Sequence, residues 1–304
     1  MTIKSKNSIS SLSAEFGSDA ECRLALEHLR WPHGVTCVRC GGGADCISRI
    51  TTRKQFACLA CKHRFSVTSG TVFNDSHLPL PKWFQAVFIM CEAKKGISSN
   101  QLMRTLGVAK KTAWYLEHRI REAMIDRNPQ PLMGPTVEVD ETYLGSRRRT
   151  HGIGRGNYRQ FKQIVLGVVE RNGKLRMSAG LDNKKASLHG FIKTHVHDDC
   201  ANIYTDSLPA YKGIADHNTK HESVNHSEGE YVRGDVHTNT IEGAFGIFKR
   251  GLIGSFHQIS RKHLDRYLDE FEFRYNNRKN PYLFRDTLQK LVTTEAMPYE
   301  KLTA

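Results

Sequence analysis

Three acids and four cysteines carry the spacings in this chain that chemistry could use. Asp140 lies in "VEVDETYLG" (137–145), which reads as a short β-strand, and Asp206 closes "NIYTDS", a second strand-like run. Glu242 falls early in the helix-like "TIEGAFGIFKRG", with 35 residues between it and Asp206. A strand gains nothing from carrying Glu138, Asp140 and Glu141 together, so these carboxylates ask for a partner. Two aspartates on neighbouring strands and a glutamate on a following helix can converge on a pair of divalent ions. Mg²⁺ prefers oxygen ligands and keeps several waters, so a few carboxylates suffice. Two such ions about 4 Å apart activate an attacking oxygen and stabilise the leaving oxygen in phosphodiester displacement. Strand alternation places Glu138 on the face of Asp140 and Glu141 on the other; either can support the metal ligands from behind, though each reads first as a surface charge.

Cys37 and Cys40 are followed, after 17 intervening residues, by Cys58 and Cys61. Two CxxC pairs at that separation have the spacing of a structural zinc site, four thiolates around one tetrahedral Zn²⁺. A closed set of four leaves no open coordination position, so this zinc holds the fold and does no chemistry. Cys46 lies within the loop without a CxxC partner, and Cys22, Cys46, Cys91 and Cys200 read as structural thiols. The flanks carry Arg39, Arg49, Arg53, Lys54, Lys62, His63 and Arg64, which suits contact with phosphates.

These sites sit in a strongly basic chain of 304 residues, with 45 Lys and Arg against 31 Asp and Glu, a net charge of +14. Such a balance favours a polyanionic partner, nucleic acid first. No run approaches the roughly 18 apolar residues of a membrane span, and the first residues lack the apolar core of a secretory signal. The chain is therefore expected in the cytoplasm, associated with the nucleoid and with no membrane partner.

The elements that must position these residues follow from patterning. Residues 1–17, rich in Ser and Lys, read as a flexible arm. Residues 18–75 hold a helix, with Asp19 as its N-cap, and the zinc ribbon; residues 76–128 hold a helix-turn-helix. There Ser98 and Gln101 give a capping-box pattern, Leu102 and Leu106 an apolar stripe, Gly107 a break, and a second helix runs over 109–124. Its first residues, Lys110, Lys111 and Thr112, lie where a recognition helix enters a major groove, while Ala113, Leu116, Ile120 and Met124 face inward. The Pro-rich "RNPQPLMGP" (127–135) reads as a linker. Residues 129–304 then show strands mixed with helices, with Asn172-Gly173 as a hairpin turn. Three strands, a helix, a strand, then more helices is the order of an α/β, ribonuclease-H-like domain. Arg147, Arg148, Arg149, Arg155, Arg159 and Lys162 lie among glycines between its first two strands, a basic loop suited to holding a DNA strand. "HVHDDC" (195–200) reads as a polar turn. Asn239 reads as a helix N-cap with Glu242 closing a capping box.

Taken in order, "CxxC" twice, "LPLPKWFQAVFIM", "GISSNQLMRTLGVAKKTAWYLEHRIREAM", "VEVDETYLG", "YTDSLPAYKGI" and "HTNTIEGAFGIFKRGLIG" resemble the zinc-ribbon group of bacterial insertion-sequence DDE transposases, relatives of the Merlin elements. The likeness spans roughly residues 18 to 280. It implies an enzyme that binds terminal inverted repeats in double-stranded DNA, nicks at the element ends, and joins the freed 3′-hydroxyl to target DNA with Mg²⁺ or Mn²⁺. Pairing two ends implies a homo-oligomer, at least a dimer on DNA. Asp140 and Asp206 carry over as the first two metal ligands. The third is Glu or Asn in this group, and the chain offers both Asn239 and Glu242. Glu242 is favoured by the 35-residue interval, with Lys249 two helical turns further on the same face, placed to contact DNA near the scissile phosphate. Two other readings stand beside it: a zinc-ribbon and helix-turn-helix regulator with an inactive nuclease domain, and a nuclease that cuts without joining.

Overall fold

The computed structural model describes residues 8–145, 163–215 and 218–303. It divides into two units, 1–125 with 279–304, and 126–278.

The first unit opens with helix α1 (Ile9–Glu15), capped by Ser8, whose Oγ accepts from Ser11 N at 3.1 Å. Residues 8–17 of the expected flexible arm thus carry a capped helix. Leu12 and Phe16, four residues apart, are buried, with the Phe16 ring 5.0 Å from that of Phe84. Four serines in this stretch hide so short an apolar pair. Helix α2 (Asp19–Arg30) is capped by Ser18 in a full capping box with Glu21. Asp19 is therefore not its cap; its Oδ1 accepts from Leu80 N at 2.8 Å, at the start of α3 (Leu80–Glu92). Between them lies a three-stranded antiparallel ribbon, β1 (Ile47–Ile50), β2 (Gln55–Cys58) and β3 (Arg64–Phe65), whose small core is Phe56 and Phe65 against Trp31. Helix α4 (Ser99–Leu106) ends at Gly107 in the left-handed conformation, φ 60°, and α5 (Lys110–Met124) begins three residues later. Leu102, Leu106, Ala113, Leu116, Ile120 and Met124 are buried, as the apolar stripes require.

The second unit is built on a five-stranded sheet: β4 (Thr136–Leu144), β5 (Gln163–Glu170), β6 (Leu175–Gly180), β7 (Asn202–Asp206) and β8 (Lys220–Val224), in the order β6-β5-β4-β7-β8. The first three strands are antiparallel, and Asn172 at φ 60° turns the β5–β6 hairpin. Helix α6 (Lys185–His195) then crosses one face and delivers β7 parallel to β4, in the middle of the sheet. This is the ribonuclease-H-like order. On the α6 face, Leu188, Phe191 and Ile192 close over Val137, Val139, Val168 and Ile203. On the other, α7 (Asn239–Gly251) and α8 (Leu264–Asn276) bring Ile241, Phe245, Phe248, Leu268 and Phe271 onto Val165, Val169 and Leu175.

The chain then leaves this unit. Helices α9 (Leu283–Thr293) and α10 (Tyr299–Thr303) belong to the first one, so the catalytic domain expected over 129–304 ends near residue 278. Phe284, Leu288, Leu291 and Val292 form the buried face of α9, with Phe284 5.9 Å from Phe84 and 6.1 Å from Phe88. None of the described helices is long and apolar enough to cross a membrane.

Candidate active site and metal centre

The two cysteine pairs are built as twin knuckles. Gly41 N donates to Cys37 O at 3.0 Å and Lys62 N to Cys58 O at 2.9 Å; Cys37 N donates to Gly42 O and Cys58 N to His63 O, each at 2.9 Å. The repeated pattern puts Gly41 (φ 71°) and Lys62 (φ 60°) in the left-handed region at equivalent places. The four sulfurs meet as a result: Cys37 Sγ is 3.6 Å from Cys61 Sγ, Cys40 Sγ is 3.6 Å from Cys58 Sγ, and all four lie within 4.8 Å of one another. Backbone amides of Cys40 and Arg39 favour the thiolate at Cys37, which is lowered to about 6, and the amide of Cys61 lowers Cys58. Cys40 accepts an amide bond from Gly42, yet its three sulfur neighbours raise it to about 12. Four thiolates cannot share this space without a cation, and a tetrahedral soft-ligand set fits Zn²⁺. Cys46 stands outside the cluster, as its lack of a partner suggests.

The acids gather on the face of the sheet that α7 covers. β4 and β7 run in parallel with Glu138 level with Tyr204, and Asp140 and Asp206 each lie two residues beyond that pair. Both aspartates are half-buried and backbone-fixed: Asp140 Oδ1 accepts from Glu141 N at 2.8 Å, and Asp206 Oδ1 from Leu208 N at 3.0 Å. The Asp140 carboxyl is raised well above the usual range, first by burial, then by the charges of Glu141, Asp206 and Glu242. Asp206 and Glu242 thus lie near enough to Asp140 for their charges to raise its carboxyl. Among the described residues only the four cysteines bring three or more ligand atoms within 4.8 Å of one another, so the carboxylates are gathered but not closed. Oxygen donors that repel one another suit a hard divalent cation which keeps some of its water.

Helix α7 sets the third corner. Glu242 is exposed, with Oε1 accepting from Thr238 Oγ1 at 3.1 Å and lying 3.5 Å from His226 Nδ1. The N-cap is Thr238, and Asn239 is the first helical residue and exposed, so the expected cap at Asn239 with Glu242 closing its box is not what forms. Gly167 lies directly opposite Asp140 on β5, and a Cβ there would stand 2.7 Å from Phe245 Cζ and 2.9 Å from Ile241 Cδ1. A side chain at 167 would thus have to displace the ends of these two α7 side chains.

The surface-charge reading fails for both remaining acids of the strand. Glu138 is not a surface charge but has 0% exposure, and it accepts hydrogen bonds from the backbone of α7. Glu141 is half-buried, accepts from the hydroxyl of fully buried Tyr211 at 2.8 Å, and is raised by burial and by Asp206. Tyr211 lies in "LPAYKG", directly after Asp206, and His226 follows β8; neither has a spacing that marks it in advance. Lys110, Lys111, Thr112 and Lys249 are exposed. The Lys111 ammonium sits 4.6 Å above the ring of Tyr299. Arg147, Arg148, Arg149, Arg155, Arg159 and Lys162 lie outside the described residues.

Comparison with known proteins gives the family. Residues 131–276 match the ISXO2-like transposase domain and residues 17–64 the transposase zinc-ribbon domain. The chain is 30% identical over 276 residues to a protein in transposable element ISH50 of Halobacterium salinarum, covering 85% of this chain and 91% of that one. Among solved structures it is similar to the Mos1 strand transfer complex (11% identity, 69% of this chain and 75% of that chain, TM-score 0.30). It is also similar to the simian T-cell lymphotropic virus intasome bound to PP2A regulatory subunit B56 gamma (14% identity, 56% and 63%, TM-score 0.29). Those scores are too low to carry an argument; the two domain matches and the ISH50 relative are not, and by them the chain belongs to the zinc-ribbon family of insertion-sequence DDE transposases.

Proposed function

We propose that this chain binds the inverted repeats at the ends of a mobile DNA element, breaks a phosphodiester at each end, and joins the freed 3′-hydroxyl to target DNA. The observation that carries the reading is geometric: Asp140 and Asp206 stand level on parallel β4 and β7, Glu242 is on the helix that covers that face, and burial with the neighbouring acids raises the Asp140 carboxyl. Asp140 and Asp206 serve as metal ligands with Glu242 as the third, and Asn239 stands one helical turn before Glu242 on the same helix. Mg²⁺ or Mn²⁺, when bound, favours deprotonation of the attacking oxygen and offsets charge on the leaving one. The protein's part is placement. Asp140 is held on the central strand, Asp206 by its turn to Leu208, and Glu242 by Thr238 and His226. Lys249 offers a cation to the DNA backbone two helical turns beyond Glu242. Arg147, Arg148, Arg149 and Arg155, which lie outside the described residues, offer cations to a DNA strand, and Lys110, Lys111 and Thr112 meet the groove. Zn²⁺ on Cys37, Cys40, Cys58 and Cys61 maintains the ribbon. Two element ends require at least two chains on the DNA.

The test is a strand-transfer assay with purified protein, Mg²⁺ and a labelled terminal repeat. Joined products are expected, and Asp140→Asn should abolish cleavage while leaving repeat binding intact. Binding without cleavage by the unaltered chain would make it a regulator with a silent nuclease domain; cleavage without joining would make it a nuclease.

A further inference from the structure

Glu138 is the most deeply buried acid beside the site, and the proposed reaction gives it no part. Its Oε2 accepts from Thr240 N at 2.7 Å and Ile241 N at 3.1 Å; its Oε1 accepts from Thr240 Oγ1 and Arg171 Nε, each at 2.9 Å, with His237 Nδ1 at 3.3 Å. Helix α7 has no side-chain cap of its own, since Thr238 makes none. The free amides of its first turn are satisfied from a strand instead, where the positive end of the helix dipole favours a carboxylate.

We infer that Glu138 is a positioning residue that fixes the separation between Asp140 and Glu242. It lies two residues from Asp140 on the same face of β4, and the second amide it holds, Ile241 N, immediately precedes Glu242. It thereby links the strand bearing one acid directly to the helix bearing the other. Arg171 extends the anchor, donating to Asp235 O at 2.6 Å and His237 O at 3.3 Å on the approach to α7. Stability alone does not call for this arrangement. A Ser, Asp or Asn at the N-cap satisfies the same amides at the surface, whereas a buried charge carries a desolvation penalty. What the buried version adds is a tie across elements.

This inference rests on Asp140 and Glu242 being metal ligands, and the test separates the two claims. Mn²⁺ binding is measured by titration calorimetry on the zinc-loaded full chain without DNA, for the unaltered protein, Asp140→Asn and Glu138→Gln. The glutamine amide keeps the shape of the carboxylate but turns an accepting oxygen into a donor facing donors. Asp140→Asn is expected to remove binding, and Glu138→Gln to weaken it about tenfold or more while the chain stays folded. Binding retained in Asp140→Asn would overturn the metal reading and this inference with it. Binding lost in Asp140→Asn but unchanged in folded Glu138→Gln would leave the metal site standing and reduce Glu138 to a stabilising cap. If Glu138→Gln does not fold, Thr240→Val decides: it removes the hydroxyl bond and keeps both amides, and unchanged Mn²⁺ affinity in it overturns the inference.

Discussion

Gly167→Ala perturbs the site without touching an ionisable group. The added methyl would stand 2.7 and 2.9 Å from two carbons of the Phe245 ring and 2.9 Å from Ile241 Cδ1. Carbon pairs settle at about 3.5–4.0 Å, so α7 must retreat by roughly 1 Å or Phe245 must leave its rotamer. Overpacking of this kind costs about 1–3 kcal/mol of stability. The residues pushed are Ile241 and Phe245, and Glu242 directly follows the first, so the retreat separates Glu242 from Asp140. A misplacement of about 1 Å at reacting groups lowers rate on the order of a hundredfold. The assay compares single-turnover cleavage of a terminal-repeat duplex, well below the melting temperature, with thermal unfolding of the same protein. Gly190→Ala in α6 is the control: a Cβ there meets nothing within 4 Å, and removing a helical glycine stabilises by about 0.5–1 kcal/mol. Gly167→Ala that is destabilised yet cleaves at the unaltered rate would refute the argument, because α7 would then not owe its catalytic placement to that close approach.

Phe284→Ala should cost about 3–5 kcal/mol in the unit formed by 1–125 and 279–304, seen as a shifted urea transition for that unit while 126–278 unfolds as before. Cys58→Ser should reduce metal content from about one zinc per chain to none and unfold the ribbon, read by metal analysis and near-ultraviolet circular dichroism. The raised Asp140 sets a pH dependence: the folded chain keeps a proton that the unfolded chain releases above 3.8, so stability without added Mg²⁺ falls as pH rises from there through the elevated value. Asp140→Asn should flatten that slope in thermal melts, and saturating Mg²⁺ should reverse it. Lys110→Ala should weaken DNA binding and reduce the salt slope by about one if it meets a phosphate, measured by fluorescence anisotropy across salt concentrations. A loss confined to one repeat sequence would instead assign Lys110 to base reading.

What can be read from the sequence depends on whether a residue's partners are close in the chain. The CxxC pairs close on themselves, and each knuckle repeats the same local hydrogen bonds, so spacing alone is enough. Asp140 and Asp206 lie in strands whose apolar neighbours fix the face each side chain takes. Glu138 has the same alternation but a partner 102 residues away, and a carboxylate in a strand looks exposed until the amides it serves are found. Strand β8 leaves no signal because "KHESV" buries only Val224, too little to show a period. Helix α9 has a clear apolar face, but periodicity says only that a face is buried, not which unit buries it.

The charge distribution sets a problem that only a cation resolves. In the proposed reaction a chain of +14 draws in DNA, yet the scissile phosphate must approach three carboxylates, Asp140, Asp206 and Glu242. Each added phosphate charge would raise Asp140 further, and the approach would be opposed most strongly at the point of reaction. Cations between the acids and the phosphate invert that local sign, which makes DNA engagement at this site conditional on metal while binding elsewhere on the basic surface is not. Non-specific DNA affinity should therefore be indifferent to Mg²⁺ apart from ordinary screening, whereas closure of the cleavage site on its phosphate should not. The two acids on parallel strands are fixed by the sheet itself. On the proposed reading, the third acid takes its distance from the close approach at Gly167 and its tether from Glu138, so displacement of α7 is the expected route by which a mutation away from the ligands would silence cleavage without unfolding the chain.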